Sequence, residues 1–313
     1  MHDHLYDLII VGGGPAGLAA GVYAARDRLD CVLLEKGAVG GQVAMVAEVA
    51  NYPGFPGAIS GFDLAEKIRE QAAAFGLRIE EDEAGRLSRA DGRLVIECAG
   101  GRRAARAVIV ATGATRRALG VRGESRLCGR GVSYCGMCDA PLFRGMRVVV
   151  AGGGDTAVEE AIFISRFASE VTVVHRRDRL RASPGLQRRA FAEKKIGFLW
   201  GSVIREIRGG ERVAGVVVGD AKGGGERELP CDGVFIFIGS TPNTSFLGGA
   251  VELDGEGCVV ADLSMATSVP GVFAAGDVRR GSARQIASAV GDGVTAVIAA
   301  ERYIAAAGAA LRE

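Results

Sequence analysis

The sequence predicts an α/β fold made of two dinucleotide-binding units of the βαβ kind, and three observations predict it. One strand–turn–helix segment occurs twice, as DLIIVGGGPAGLAA at Asp7–Ala20 and RVVVAGGGDTAVEE at Arg147–Glu160. Each copy opens on an apolar run of the sort that fills a buried parallel strand. The composition agrees: 48 glycines and 6% aromatic residues among 313 suit many tight turns and close packing of small residues.

The length suggests about two domains. A net charge of +1 gives no overall field for nucleic acid or a membrane surface. No apolar run approaches the ~18 residues that span a bilayer. The first strand begins near Tyr6, so no signal peptide is expected. Five of the seven cysteines are scattered, as cytosolic thiols are, so a cytoplasmic location is expected. The histidines are His2, His4 and His175, two of them on the N-terminal tail, so no metal site is expected.

In the first copy, Gly12, Gly14 and Gly17 fall at the positions of a phosphate-binding turn. The first glycine makes the turn, the second admits a pyrophosphate, and the third lets helix and strand approach. Pro15 suits the first helical turn, where a missing N–H costs nothing, and Ala16 follows it. The helix start then offers N–H donors and a positive dipole end. The second copy places Gly152, Gly154 and the small Ala157 at the same spacing, with Asp155 and Thr156 opening its helix.

The next strand of each copy refines the ligand. Glu35 ends CVLLE 23 residues after Gly12, and His175 ends VTVVH 23 residues after Gly152. That position meets the adenosine ribose. An acid there accepts hydrogen bonds from ribose hydroxyls and repels a 2′-phosphate. The second copy offers His175, Arg176, Arg177 and Arg181 instead. Guanidinium forks match phosphate oxygens, so this unit is expected to take NADPH.

Between the copies, Ser133–Pro141 reads SYCGMCDAP. Cys135 and Cys138, three apart at the start of a short helix or turn, can close a small disulfide, and a thiolate is favoured near a helix N-terminus. Asp139 follows as a proton donor or acceptor, or as a helix cap. A zinc half-site lacks a second ligand pair. A hydride donor and a disulfide need an intermediary that takes two electrons together, so the first unit is best filled by FAD.

Over nearly the whole chain these residues resemble the low-molecular-weight thioredoxin reductase family. The likeness runs through GGGPAG (Gly12–Gly17), GGQ (Gly40–Gln42), NYPG (Asn51–Gly54), ATGA (Ala111–Ala114), CGMCD (Cys135–Asp139), GGGDTA (Gly152–Ala157), HRRDRLR (His175–Arg181), GDV (Gly276–Val278) and RQIASA (Arg284–Ala289). The resemblance implies two Rossmann-like domains with the NADPH domain inserted into the FAD domain. They would span 1–114 with 242–313 for FAD and 115–241 for NADPH. It implies a homodimer with thioredoxin, or a thioredoxin-like protein, as partner. It places Glu35 at the FAD ribose, Gln42 and Asn51 in the flavin pocket, and Gly41, Ala111, Thr112, Gly113 and Gly276 among the FAD-binding residues. Asp277 would meet the ribityl chain, with Arg284, Gln285 and Ala287 near the isoalloxazine. It makes Cys138 the sulfur nearer the flavin, Cys135 the sulfur that meets the partner's thiols, and Asp139 the acid. The chain departs from the family at Gly136, where alanine is common, and at Ala140-Pro141-Leu142, where some members are more aromatic or carry glycine.

Three alternatives stand beside this reading. One is a related flavoprotein serving a glutaredoxin-like or peroxiredoxin-linked carrier. Another is a ferredoxin–NADP reductase of similar fold, which would not need the cysteine pair. The third is a non-enzymatic dinucleotide sensor, which would need neither the pair nor its adjacent acid.

Overall fold

The structure, a computed structural model, describes residues 4–310 apart from 47 and 91, with backbone alone at 308–310. His2 lies outside the described residues. The chain divides into two compact units, Met1–Thr115 with Thr241–Glu313, and Arg116–Ser240.

The first unit is built on β1 (Leu5–Val11), β2 (Cys31–Glu35), β3 (Arg78–Glu81), β4 (Ala84–Ala90), β5 (Arg93–Cys98) and β6 (Gly101–Val110). Their order in the sheet is β3-β2-β1-β6-β5-β4. The pairs among β3, β2, β1 and β6 are parallel, while β4–β5 and β5–β6 are antiparallel. Leu8, Ile9 and Ile10 of β1 are fully buried, as a strand covered on both faces requires. Helix α1 (Pro15–Arg26) follows β1, and α2 (Gly61–Ala74) starts at Ser60, whose side chain accepts the Asp63 N–H at 3.0 Å. Strand β7 (Ala114–Arg116) leads out of this unit.

The second unit holds β8 (Val132–Ser133), α3 (Gly136–Asp139), β9 (Arg147–Ala151), α4 (Asp155–Ile164), β10 (Glu170–Val174), α5 (Pro184–Ala192) and β11 (Ile196–Leu199). Then come β12 (Ser202–Gly209), β13 (Val213–Asp220), β14 (Glu226–Pro230) and β15 (Gly233–Ile236). Its parallel sheet runs β11-β10-β9-β15-β8, and β12-β13-β14 form a separate antiparallel sheet. Val150, Ala157, Ala161, Ile164 and Phe235 are among the residues that close the core between α4 and the sheet.

Strand β16 (Ser240–Pro242) leads back, and β17 (Val272–Ala274) and α6 (Ile286–Ala310) complete the first unit. β17 pairs in parallel with Val108–Val110 of β6. α6 lies on α1 so closely that a Cβ at Gly293 would run into the Ala16 carbonyl. The α/β class with parallel sheets read from the sequence is the one observed. No helix among the described residues is long and apolar enough to cross a membrane.

Candidate active site

In the first unit the β1–α1 turn is shaped by contacts that only glycine permits. Gly12 has φ +108°, and a Cβ there would meet the Ala111 carbonyl carbon at 2.7 Å. A Cβ at Gly17 would run into the Gly12 carbonyl, so the third glycine sets how near α1 lies to β1. Gly14 caps α1 without a side-chain hydrogen bond, Pro15 stands in the first turn, and the space a Gly14 Cβ would enter is open. The free N–H groups at this helix start therefore face a cradle fit for a pyrophosphate.

Glu35 ends β2 and accepts the Gly13 N–H at 2.6 Å and the Gly37 N–H at 3.1 Å. Gly40 donates to the Gly13 carbonyl at 2.8 Å, and a Cβ at Gly41 would stand 3.3 Å from the Gly14 Cα. The 40–42 segment thus borders the turn, and Gln42 donates to the Ala114 carbonyl. Asn51 donates to the Gln285 side chain at 3.2 Å, joining two segments far apart in sequence. Ala111 donates to Val11 at 2.8 Å, and Thr112 and Asn243 exchange hydrogen bonds at 2.7 and 2.8 Å just before Gly113.

A Cβ at Gly276 would come 3.0 Å from the Ala16 Cβ, and the Gly276 N–H donates to Asp292 at 3.1 Å. Ser282 donates to Asp277 at 3.0 Å and accepts the Arg284 N–H at 3.1 Å. Ala287 lies in the first turn of α6. Asn243 and Asp292 carry part of this geometry without a motif. Asp292 is buried on α6 and holds Gly276 and the guanidinium of Arg279, the latter at 2.6 and 2.8 Å.

The second unit repeats the turn. Gly152 has φ +146°, and a Cβ there would crowd the Phe237 carbonyl and the Ala157 Cβ. Gly154 caps α4 with no side-chain hydrogen bond, and the Arg181 guanidinium lies 3.7 Å from where its Cβ would stand. Asp155 accepts the Ser183 N–H at 2.7 Å, and Thr156 is exposed beside it. The sequence placed His175 at the end of its strand, but β10 stops at Val174. The His175 N–H still bonds to Leu199, while its carbonyl turns away to accept the Ser202 N–H at 3.0 Å.

His175 is buried against Gly153, and its Nε2 has no partner among the described residues. Burial lowers its pKa first, and Arg177, Arg181 and Arg176 lower it further, so the ring is neutral near pH 7. Arg176, Arg177 and Arg181 are exposed. An arginine at a helix start without a side-chain cap, with two more arginines next to His175 in sequence, fits a phosphorylated ribose and a pyrophosphate.

Cys135 and Cys138 form a disulfide across the four-residue helix α3, with Cα atoms 5.3 Å apart. Cys135 is the N-cap, and its sulfur accepts the Cys138 N–H at 3.2 Å. Ser133 Oγ accepts the Cys135 N–H at 3.1 Å and donates to Asp139 Oδ2 at 2.6 Å. Asp139 thus stands on the redox turn, held by a side chain that no motif singled out. Just ahead of the pair, Tyr134 donates to the buried Glu124 at 2.7 Å, and Glu124 also accepts N–H groups from Leu119 and Gly120.

Asp139→Asn separates charge and proton from shape, because the asparagine carbonyl can still accept the Ser133 hydroxyl. If Asp139 supplies the proton, this variant should reduce disulfide-substrate turnover roughly 100-fold while NADPH oxidation in the first half-reaction persists. Unchanged turnover across pH would remove Asp139 from proton transfer.

Residues 6–293 match the family model described as pyridine nucleotide-disulphide oxidoreductase. The thioredoxin reductase of Treponema pallidum is 46% identical, with 96% of this chain and 97% of that protein covered. That of Bacillus subtilis is 43% identical, with 96% of each covered. The solved thioredoxin reductase of Streptococcus pyogenes superimposes with a TM-score of 0.91 at 43% identity, covering 96% of this chain and 99% of that one. The one from Giardia duodenalis gives 0.91 at 36% identity, covering 97% and 100%. A Cys135–Cys138 disulfide and two glycine-capped turns of the dinucleotide-binding kind, together with relatives this similar over nearly full length, mean that the chain belongs to the thioredoxin reductase family of pyridine nucleotide-disulphide oxidoreductases, enzymes that use FAD and NADPH.

Proposed function

We propose that this chain reduces a thioredoxin through Cys135 and Cys138, with FAD held by the first unit and NADPH by the second. The observation that carries this reading is the disulfide on α3 with Asp139 tied to the same turn by Ser133. In this reading the N–H groups at the start of α1 take the FAD pyrophosphate. Glu35 would exchange the Gly13 and Gly37 donors in part for ribose hydroxyls. Residues 41–42, 51, 111–113, 276–277 and 284–287 would line the rest of that site. Gly152, Gly154, Asp155 and Thr156 would border the NADPH pyrophosphate, with His175 beside the ribose and Arg176, Arg177 and Arg181 around the 2′-phosphate.

Bound FAD supplies the acceptance of hydride from NADPH and the return of the electron pair to sulfur. The chain's own part begins as the Cys135–Cys138 bond breaks: two electrons leave both sulfurs reduced, and Asp139 delivers a proton to the turn. The Cys135 thiolate attacks one sulfur of the partner's disulfide, making a mixed disulfide and releasing the partner's other sulfur. The Cys138 thiolate then attacks the Cys135 sulfur. The partner leaves as a dithiol and the internal disulfide reforms. Family resemblance supports a cytoplasmic homodimer as the working form.

The test is NADPH oxidation by the purified, flavin-loaded protein against a panel of thioredoxins and glutaredoxins from the same cell. At least one thioredoxin should sustain turnover. Turnover only with a glutaredoxin-like protein would overturn the partner assignment, and none with any carrier would overturn the reading.

A further inference from the structure

α4 ends beneath the redox turn. A Cβ at Gly136 would run into Glu160 Oε2 and would meet Glu160 Cδ at 3.1 Å and Ile164 Cδ1 at 3.3 Å. The space that alanine's methyl would fill is taken by a carboxyl group. Oε2 is buried and has no hydrogen-bond partner among the described residues. The Met137 N–H, between the two cysteines, lies near enough to lower the pKa of this carboxyl. Glu160 is therefore packed against the segment that carries both sulfurs, and no step above uses it.

We propose that Glu160 is a positioning residue for the redox pair, a half-buried acid whose enclosed Oε2 takes the space left by Gly136 and which sets how readily the Cys135–Cys138 disulfide is reduced as pH changes. The inference rests on the pair being the redox centre, but not on thioredoxin as partner. Its physical basis is like-charge repulsion in a poorly solvated place. Ionised Glu160 opposes a thiolate on the turn above it; protonated Glu160 does not. Burial and, next, the charge of Glu159 push the Glu160 carboxyl up to about 7, while the Met137 N–H pulls it down. The proton therefore moves on or off within the ordinary working range.

The elements around α4 bring further charged groups. Asp139 lies on α3, Arg147 on β9, Glu170 on β10, and Arg188 and Arg189 on α5. Of these, Asp139 shares the turn with the sulfurs. Reduction to a thiolate should draw a proton onto Glu160, and ionising Glu160 should favour the disulfide.

The experiment is a redox titration of the flavin-loaded enzyme against reduced and oxidised dithiothreitol, from about pH 5.5 to about pH 9, read by alkylation of Cys135 and Cys138 and mass spectrometry. Above about pH 8, Glu160→Gln should shift the equilibrium constant roughly fivefold towards the dithiol, and below about pH 6 the two proteins should coincide. The packing half is read by melting temperature. Gly136→Ala should destabilise the wild type yet cost little in a Glu160→Ala background. That double variant also removes the Glu160 charge should Glu160→Gln fold poorly. Parallel titration curves across the whole pH range, or an equal cost of Gly136→Ala in both backgrounds, would overturn the proposal. Because no thioredoxin is present, failure of the partner assignment leaves this result readable.

Discussion

Cys135→Ser and Cys138→Ser are each expected to lower thioredoxin reduction on the order of 10⁴-fold or more, while the protein stays yellow and its flavin is still reduced by NADPH. The size of the effect follows from what is removed. A covalent nucleophile is the pathway itself, so its loss is not graded like the loss of one contact. The fold should tolerate both changes. A serine hydroxyl at 135 can accept the Cys138 N–H in place of sulfur, so the cap of α3 persists. The dinucleotide turns lie on other elements, at Gly12–Gly17 and Gly152–Ala157. Rapid mixing with NADPH reads the half-reaction by flavin bleaching, and steady-state NADPH oxidation reads the whole. A serine variant that turned over thioredoxin at the wild-type rate would show that the electrons leave by another route.

The second expected result concerns the choice of nicotinamide cofactor. Arg176→Ala and Arg181→Ala should each lower kcat/KM for NADPH roughly 10- to 100-fold and leave that for NADH nearly unchanged. One charge-assisted hydrogen bond to a phosphate is worth about 1.5–3 kcal/mol, which converts to that range. The two losses should not simply add, since both groups would serve one phosphate. His175 is kept neutral by burial and by the same arginines, so it contributes no charge. The preference should therefore hold from about pH 7 to about pH 9, where guanidinium groups stay protonated and a phosphate monoester keeps both charges. Equal losses with both cofactors would place these residues away from the 2′-phosphate.

Much of this was legible in the sequence because the relevant demands are local. Gly12 and Gly152 are forced by positive φ and by carbonyls that leave no room for Cβ, and such a demand leaves a glycine at a fixed place. Glu35 and His175 could be found by counting, since a strand and helix of ordinary length set where the next strand ends. The antiparallel pieces β4–β6 and β12–β14 leave no motif in the sequence, and β4, β5, β12 and β14 carry mixed, partly exposed residues. No motif marks Ser133, Asn243 and Asp292 either, because their roles depend on which segment arrives beside them. Glu160 was hidden most thoroughly. In sequence it is one of two adjacent glutamates on an amphipathic helix, where solvation is the ordinary fate. Its burial arises only when α3 settles on α4 with a glycine at the contact.

The way the two units share one chain has a consequence for synthesis. The second unit is a single stretch, Arg116–Ser240, so all five strands of its parallel sheet are present once Ile236 has emerged from the ribosome. The first unit starts earlier and finishes later. Until Val272–Ala274 is made, Val108–Val110 are paired on one side only, by β1, and until α6 follows, the α1 face that meets Gly293 stays bare. An open strand edge beside uncovered apolar surface is the arrangement most prone to pairing with the wrong chain. The earlier unit to be translated is thus the later to be sealed, and for the whole time the inserted unit is being made it is the nascent chain's most vulnerable part.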